Sequence, residues 1–233
     1  MAYVNTRVRK KDAMPLVTGK PVYTGDMIPQ NALVVKLLRS PHANALIEEI
    51  NTSIAQKVPG VCCVLTYQDA PNARFTTAGQ TYPEPSPYDR LILDRHLRCV
   101  GDPVAIVAAE TEAAAQKAVG LIKVKYQVME PLLDFTKAKD NPIVVHPEEN
   151  FRALCDVGTD AQRNLCSTEL FEMGDVEGTL NACDVTVERT FHTKANNQAM
   201  METFRTYTYL DEYGRLTVVS STQVPFHCRR ILS

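Results

Sequence analysis

The stretch Pro103–Val128 does most to limit the folds open to this chain. Val104–Ala109 is an apolar run of strand length. Thr111 follows as a helix N-cap, and Glu112 falls in a first turn where the helix dipole favours a carboxylate. Glu112–Gly120 is rich in alanine, the strongest helix former. Ile122, Val124, Tyr126 and Val128 then alternate with Lys123, Lys125 and Gln127, the period-two pattern of a strand with one wet face. Strand, helix and strand within about 25 residues suffice for a β-α-β excursion. The chain therefore reads as α/β.

The flanking sequence adds strands at shorter range. Leu33–Leu38 is apolar enough for a buried strand, broken by Arg39-Ser40-Pro41-His42, and Ala45–Ile50 resumes as a second. Asn51 can cap a short turn through Gln56, ended by Pro59-Gly60, and Val61–Thr66 is a third strand. Thr76–Asp89 holds Pro83, Pro85 and Pro87 and reads as a surface loop. Asp134–Cys166 has weak periodicity and looks like a linker. Asp175 reads as the cap of a helix carrying Val176, Leu180 and Cys183 on one side. Asp184–Phe191 is strand-like. Thr206–Leu210 and Arg215–Ser221 flank Asp211-Glu212-Tyr213-Gly214 as a hairpin, and Pro225 favours a helix start over Phe226–Leu232.

Composition excludes several classes of function. The 233 residues carry 25 Lys and Arg against 27 Asp and Glu, a formal charge of −2, so no general basic field draws nucleic acid. No run approaches the ~20 apolar residues that span a bilayer, and no apolar signal core follows Met1. A cytoplasmic location is the expectation, with Arg7, Arg9, Lys10 and Lys11 as a solvated terminal arm. The cysteines number 7, an odd count with no Cys-x-x-Cys spacing, which argues against a disulfide framework or a zinc site. Cys62 and Cys63 lie in the run Val61–Leu65 and read as small packed hydrophobes. The histidines are scattered, so no metal ligated by the protein is expected. Neither a nucleotide-binding glycine loop nor a Gly-x-Ser-x-Gly elbow occurs.

One junction stands out. Ser221-Thr222-Gln223-Val224-Pro225 lies between a hydrophobic strand and a probable helix. Polar side chains at the carboxyl end of a strand commonly face a ligand crevice. On residue types alone, Thr222 also reads as a helix cap and Gln223 as a solvated turn residue. Glu202, among Met200, Met201 and Phe204, is either a carboxylate with a raised pKa or one paired with Arg205 or water. His42, after Pro41, reads as a turn residue.

Taken in order, several segments resemble the molybdenum-binding large subunit of the xanthine dehydrogenase/aldehyde oxidase family. They are Leu38-Arg39-Ser40-Pro41-His42-Ala43-Asn44-Ala45, Val58-Pro59-Gly60-Val61 with Val64-Leu65-Thr66, Val100-Gly101-Asp102-Pro103-Val104-Ala105 through Tyr126, Gly174-Asp175-Val176-Glu177, and Ser220–Leu232. The resemblance implies a small hammerhead-type α/β domain over 1–140, a linker over 141–166, and the beginning of a molybdopterin-binding α+β domain over 167–233. It implies hydroxylation of an aldehyde or nitrogen heterocycle with water as the oxygen source. The cofactor implied is a molybdopterin-type molybdenum centre, with iron–sulfur centres and possible FAD in partner subunits.

Residue by residue the resemblance carries over little. Gln223 matches a glutamine that hydrogen-bonds an oxo ligand of molybdenum, for which a carboxamide N–H₂ is a suitable donor. Glu202 matches a glutamate in a His-x-x-Met-Glu-like segment, here Gln198-Ala199-Met200-Met201-Glu202 with Gln198 in the histidine place, and is expected to be structural or to support residues that touch the cofactor without touching it itself. No catalytic residue is assigned. The family's later glycine-rich segment, its pterin phosphate contacts and its glutamate base have no counterpart here. The expectation is an N-terminal part that is inactive in isolation. The alternatives are a non-catalytic assembly module, or half of a split subunit completed by another polypeptide.

Overall fold

The computed structural model describes residues 4–77, 83, 85–201 and 203–233. In chain order its elements are α1 (Ala13–Val17), β1 (Val34–Arg39), β2 (Ala45–Asn51), β3 (Val61–Thr66), β4 (Pro87–Tyr88), β5 (His96–Leu97) and β6 (Pro103–Ala109). They continue as α2 (Glu112–Leu121), β7 (Lys123–Val128), β8 (Arg152–Ala153), α3 (Val176–Asn181), β9 (Thr206–Leu210), β10 (Leu216–Ser220) and α4 (Pro225–Leu232). The chain falls into two compact units, Leu33–Lys194 with Val224–Ser233, and Met1–Ala32 with Ala195–Gln223.

The larger unit is a mixed α/β body. One antiparallel sheet has the order β1-β6-β3 and a second the order β5-β2-β7. The expected strand–helix–strand unit is present, but its two strands do not share a sheet. β1 and β3 occupy both edges of β6, so β7 has no open edge beside it and pairs with β2 instead. β6 is accordingly the central, most buried strand, with Val104, Ala105, Val107, Ala108 and Ala109 all inside. β1 is an edge strand that alternates between half-buried and exposed residues, not the buried strand its apolar run suggests.

Helix α2 packs on β1 and β6. Thr111 caps it, its Oγ1 accepting from the Ala114 N–H at 3.2 Å. Ala115 and Ala118 are fully buried and meet Ala105, Val107, Ala109, Val58, Val64 and Ile122. Small side chains on the facing helix and strand let the backbones approach closely. Leu38, Ile50 and Val124 touch both this cluster and a second one of Ile47, Leu97 and Val104. The two sheets thus share a continuous core.

Cys62 and Cys63 are exposed rather than packed. The register between β3 and β6 slips between Val61 and Cys63, a bulge on an edge strand that turns consecutive side chains outward. The expected proline-rich loop is pinned at its ends. Phe75 and Arg90 exchange backbone hydrogen bonds of 2.9 and 3.0 Å, and β4 pairs with β8. Residues 78–82 and 84 of that loop lie outside the described residues.

The segment after β7 is held by polar contacts. Arg163 makes a bidentate pair with Asp140 at 2.6 and 3.0 Å. Asn164, at φ +57°, donates its amide to the Ala138 and Ile143 carbonyls, while its Oδ1 accepts from the Val145 N–H. Asp175 caps α3 as expected, accepting from the Gly178 N–H at 2.8 Å. Asp184–Phe191 forms no ladder among the described residues. Its alternation lacks a neighbouring strand, and every described residue from Cys166 to Thr206 is exposed.

Candidate functional site

Gln223 is reached from the hairpin β9–β10. Leu216 pairs with Leu210 and Ser220 with Thr206 in an unbroken antiparallel register. The turn is set by Asp211, whose Oδ1 accepts from the Tyr213 and Arg215 N–H groups, each at 2.9 Å. Its Oδ2 accepts from Arg215 Nε at 2.8 Å, and Gly214 supplies the left-handed corner at φ +72°. The bonds from the Arg215 backbone lead in holding the Asp211 carboxyl below its ordinary pKa; partial desolvation opposes them, and the Arg215 side chain and Tyr213 N–H add to them.

At the open end, the Ser221 N–H donates to the Arg205 carbonyl at 3.1 Å, and the Arg205 N–H donates to Ser221 Oγ at 3.3 Å. This continues the ladder one step beyond β10. Gln223 stands two residues further on, exposed, in a bend before α4. Among the described residues no hydrogen bond engages its carboxamide, so both amide donors face solvent. Pro225 occupies the first turn of α4, as expected. The N-cap falls on Val224 rather than Thr222, because the bend at Gln223 separates Thr222 from the helix. Glu202 lies outside the described residues.

A second polar cluster, which the sequence did not announce, lies inside the larger unit. Arg98 Nη1 donates to Asp94 Oδ2 at 2.9 Å and to the His96 carbonyl at 3.0 Å, and Nε donates to the Val145 carbonyl at 2.9 Å. Its Nη2 pairs with Glu148 Oε1. Arg74 Nη2 and His96 Nδ1 also face that carboxylate, at 3.7 and 3.8 Å. Glu148 Oε2 is buried without a hydrogen-bond partner and lies 3.7 Å from His146 Nδ1. Burial, with Arg98 and Arg74 adding to it, pushes His146 down to about 4. Burial likewise lowers His96, with Arg98 next in effect. Both imidazoles are neutral at pH 7.

The neighbouring cleft of about 350 Å³ is lined in part by Phe75, Ile92, Arg90, Cys99 and Asp102. Burial alone would raise the Asp102 pKa. Hydrogen bonds from the Cys99 thiol and from the Arg98 and Cys99 N–H groups outweigh it and hold the carboxyl below its ordinary value. Burial, and then Asp102, push the Cys99 thiol up, which keeps it protonated and unreactive. The charged groups here are matched to one another, so the cluster is built to clamp the segment around Val145–Glu148. His42 stacks edge-on against Tyr126 at 5.0 Å and sits in a turn closed by Ser40, as a structural residue.

Among the described residues no group of three or more His, Cys, Asp or Glu side chains could hold a metal ion. The Gln223 carboxamide is exposed, and its N–H₂ is a donor of the kind an oxygen acceptor takes. Among the described residues no helix is long and apolar enough to cross a membrane.

The family described as aldehyde oxidase and xanthine dehydrogenase, a/b hammerhead domain, matches residues 18–130. The molybdopterin cofactor-binding domain family matches residues 158–233. A probable hypoxanthine oxidase of Escherichia coli is 36% identical over 246 residues, which cover 95% of this chain and 26% of that protein. A putative xanthine dehydrogenase molybdenum-binding subunit of the same species is 31% identical, over 95% of this chain and 28% of that protein. The crystal structure of the aldehyde oxidoreductase from Desulfovibrio desulfuricans matches with a TM-score of 0.74 at 26% identity, covering 92% of this chain and 23% of that one. The chain spans about a quarter of the length of these relatives.

Proposed function

This chain belongs to the xanthine dehydrogenase/aldehyde oxidase family of molybdenum oxidoreductases, and we propose that it contributes to hydroxylation of an aldehyde or nitrogen heterocycle with water as the oxygen source. In this reading residues 1–140 act as the hammerhead domain, 141–166 as the link, and 167–233 as the opening of the cofactor-binding domain. The family's cofactor is a molybdopterin-type molybdenum centre. The observation that carries the reading is the solvent-facing carboxamide of Gln223, at the end of a hairpin within the segment matched by the molybdopterin cofactor-binding family.

When bound, the molybdenum centre supplies Lewis acidity and activates water. Gln223 would help hold that centre, its carboxamide N–H₂ being a donor suited to an oxygen on it. A carboxamide neither ligates a metal tightly nor takes up a proton at neutral pH. The general base and the grip on the pterin therefore come from residues other than Gln223. Partners of the matching chemistry are an iron–sulfur subunit, an FAD subunit, or a complementary large-subunit polypeptide.

The test combines metal analysis with turnover of hypoxanthine and of an aldehyde. The isolated chain is expected to hold no stoichiometric molybdenum and to oxidise neither compound. In the assembled enzyme, Gln223→Ala is expected to lower activity by about 10–100-fold, as losing an outer contact to a metal centre commonly does. Stoichiometric molybdenum and turnover from the chain alone would overturn the reading of an isolated chain without activity. Unchanged activity of the Gln223→Ala assembly would remove Gln223 from the site.

A further inference from the structure

The segment Tyr23–Ile28 lies far from Gln223 in sequence, yet Met1–Ala32 belongs to the same compact unit as Ala195–Gln223. The segment is locally rigid. The Tyr23 N–H donates to Asp26 Oδ2 at 3.0 Å, and the Asp26 N–H donates back to the Tyr23 carbonyl at 2.9 Å. These two bonds close a 3₁₀ turn over Thr24–Met27, the reciprocal arrangement that fixes helix starts. Thr24 within it is buried. Gly25 sits in this turn with the Arg205 side chain laid against it. A Cβ placed on Gly25 would come within 3.1 Å of Arg205 Nη1 and 3.7 Å of Cδ. A side chain at position 25 would shift the guanidinium by a few tenths of an ångström.

Arg205 is also the residue that closes the open end of the hairpin. Its backbone exchanges hydrogen bonds with Ser221, two residues before Gln223. A short physical path therefore runs from Gly25 to the Arg205 side chain, through the Arg205 backbone to Ser221, and on to Gln223. A two-stranded hairpin is marginal on its own in water, and its open end frays first. A rigid turn held against that end restrains the fraying.

We infer that the N-terminal segment Tyr23–Ile28 is a positioning element for Gln223, acting through the side chain of Arg205. The inference rests on the reading that Gln223 contacts the cofactor only for its purpose, since the restraint itself is a property of this chain. Arg205 touches no reacting atom. Its part is to hold the strand end from which the carboxamide is presented.

The test is amide hydrogen exchange at Ser221–Gln223 in the full chain. Arg205→Ala is expected to speed exchange there by about 2–10-fold, the scale set by losing the packing of one long side chain. Arg205→Lys keeps the stem and the charge and is expected to recover part of the protection. Gly25→Ala pushes the guanidinium aside and is expected to speed exchange in the natural background, but to add nothing to Arg205→Ala, as two changes on one contact should behave. Glu212→Ala, at the opposite end of the hairpin, is the control and should leave Ser221–Gln223 unchanged. Exchange at Ser221–Gln223 that ignores both Gly25 and Arg205 overturns the inference. So does a Gly25→Ala effect that persists in full beside Arg205→Ala. Activity of the Gln223→Ala assembly separates the two claims. If exchange responds as described and that activity is unchanged, the brace stands and the cofactor contact falls.

Discussion

At the scale of single residues, the larger unit is fastened by Arg98. Its guanidinium engages Asp94, the His96 and Val145 carbonyls and Glu148, so one side chain ties β5 to a segment nearly fifty residues later. Arg98 and Glu148 keep only 13% and 23% of their side-chain exposure, and removing one partner leaves the other charge poorly solvated. Glu148→Ala should therefore destabilise the chain by about 3 kcal/mol, the low end for a buried pair because some water remains. Urea unfolding reads this directly. A loss under about 1 kcal/mol would rank the pair with ordinary surface ion pairs. None of this was legible beforehand. Arg74, Asp94, Arg98, His146 and Glu148 follow no spacing rule, and only the folded backbone collects them. The place of Gln223, in a bend between a strand and a helix, was legible from the apolar run before it and Pro225 after it. Residue type alone left it equally a solvated turn residue.

At the scale of elements, sequence signals held where the chemistry is local. Thr111 and Asp175 cap the helices that follow them, and Pro225 opens α4. Asp211 and Gly214 turn the hairpin where expected. Apart from the N-cap of α4, which falls on Val224 and not Thr222, the misreadings concern partners across the chain. β7 left the sheet of β6, β1 proved to be an edge, and Asp184–Phe191 found no strand to pair with. Period-two alternation specifies a face and not a neighbour. The hairpin turn carries a pH dependence that follows from its bonds. Asp211 is held below its ordinary pKa by hydrogen bonds that exist only when folded, chiefly those of Arg215. Their contribution is fully present above the ordinary carboxylate value near pH 4 and is lost as pH falls through the lowered one. The ladder amides of Tyr209 and Thr217, the hydrogen-bonded pair next to Asp211 and Arg215, should lose exchange protection on acidification below about pH 4. Asp211→Asn should remove that pH dependence while weakening the turn at every pH. A turn equally protected at pH 2.5 and pH 7 would show that the strands, and not Asp211, hold it.

At the scale of the whole molecule, stability is distributed unevenly between segments. β6 and α2 bury Val104, Val107, Ala109, Ala115 and Ala118, and opening them costs the shared core of both sheets. From Cys166 to Thr206 every described residue is exposed, and the only helix there, among the described residues, is the short α3. Leu170, Phe171, Val185, Phe191 and Phe204 stand in that stretch at 75% exposure or more. Apolar side chains in such number along one exposed stretch are the kind of surface that further chain or a partner covers. Backbone without ladder bonds or burial opens at little free energy, and cleavage follows the population of the open form. Limited proteolysis of the chain alone should therefore cut first between Cys166 and Arg205 and leave a resistant core containing β1 through β7. If the proposed complementary large-subunit segment covers this stretch, adding it should slow those cuts and suppress binding of an apolar dye, while cleavage elsewhere is unchanged. Protection of the core to the same degree as the 166–205 stretch, before any partner is added, would mean that this stretch is packed already and that the covering surface lies elsewhere.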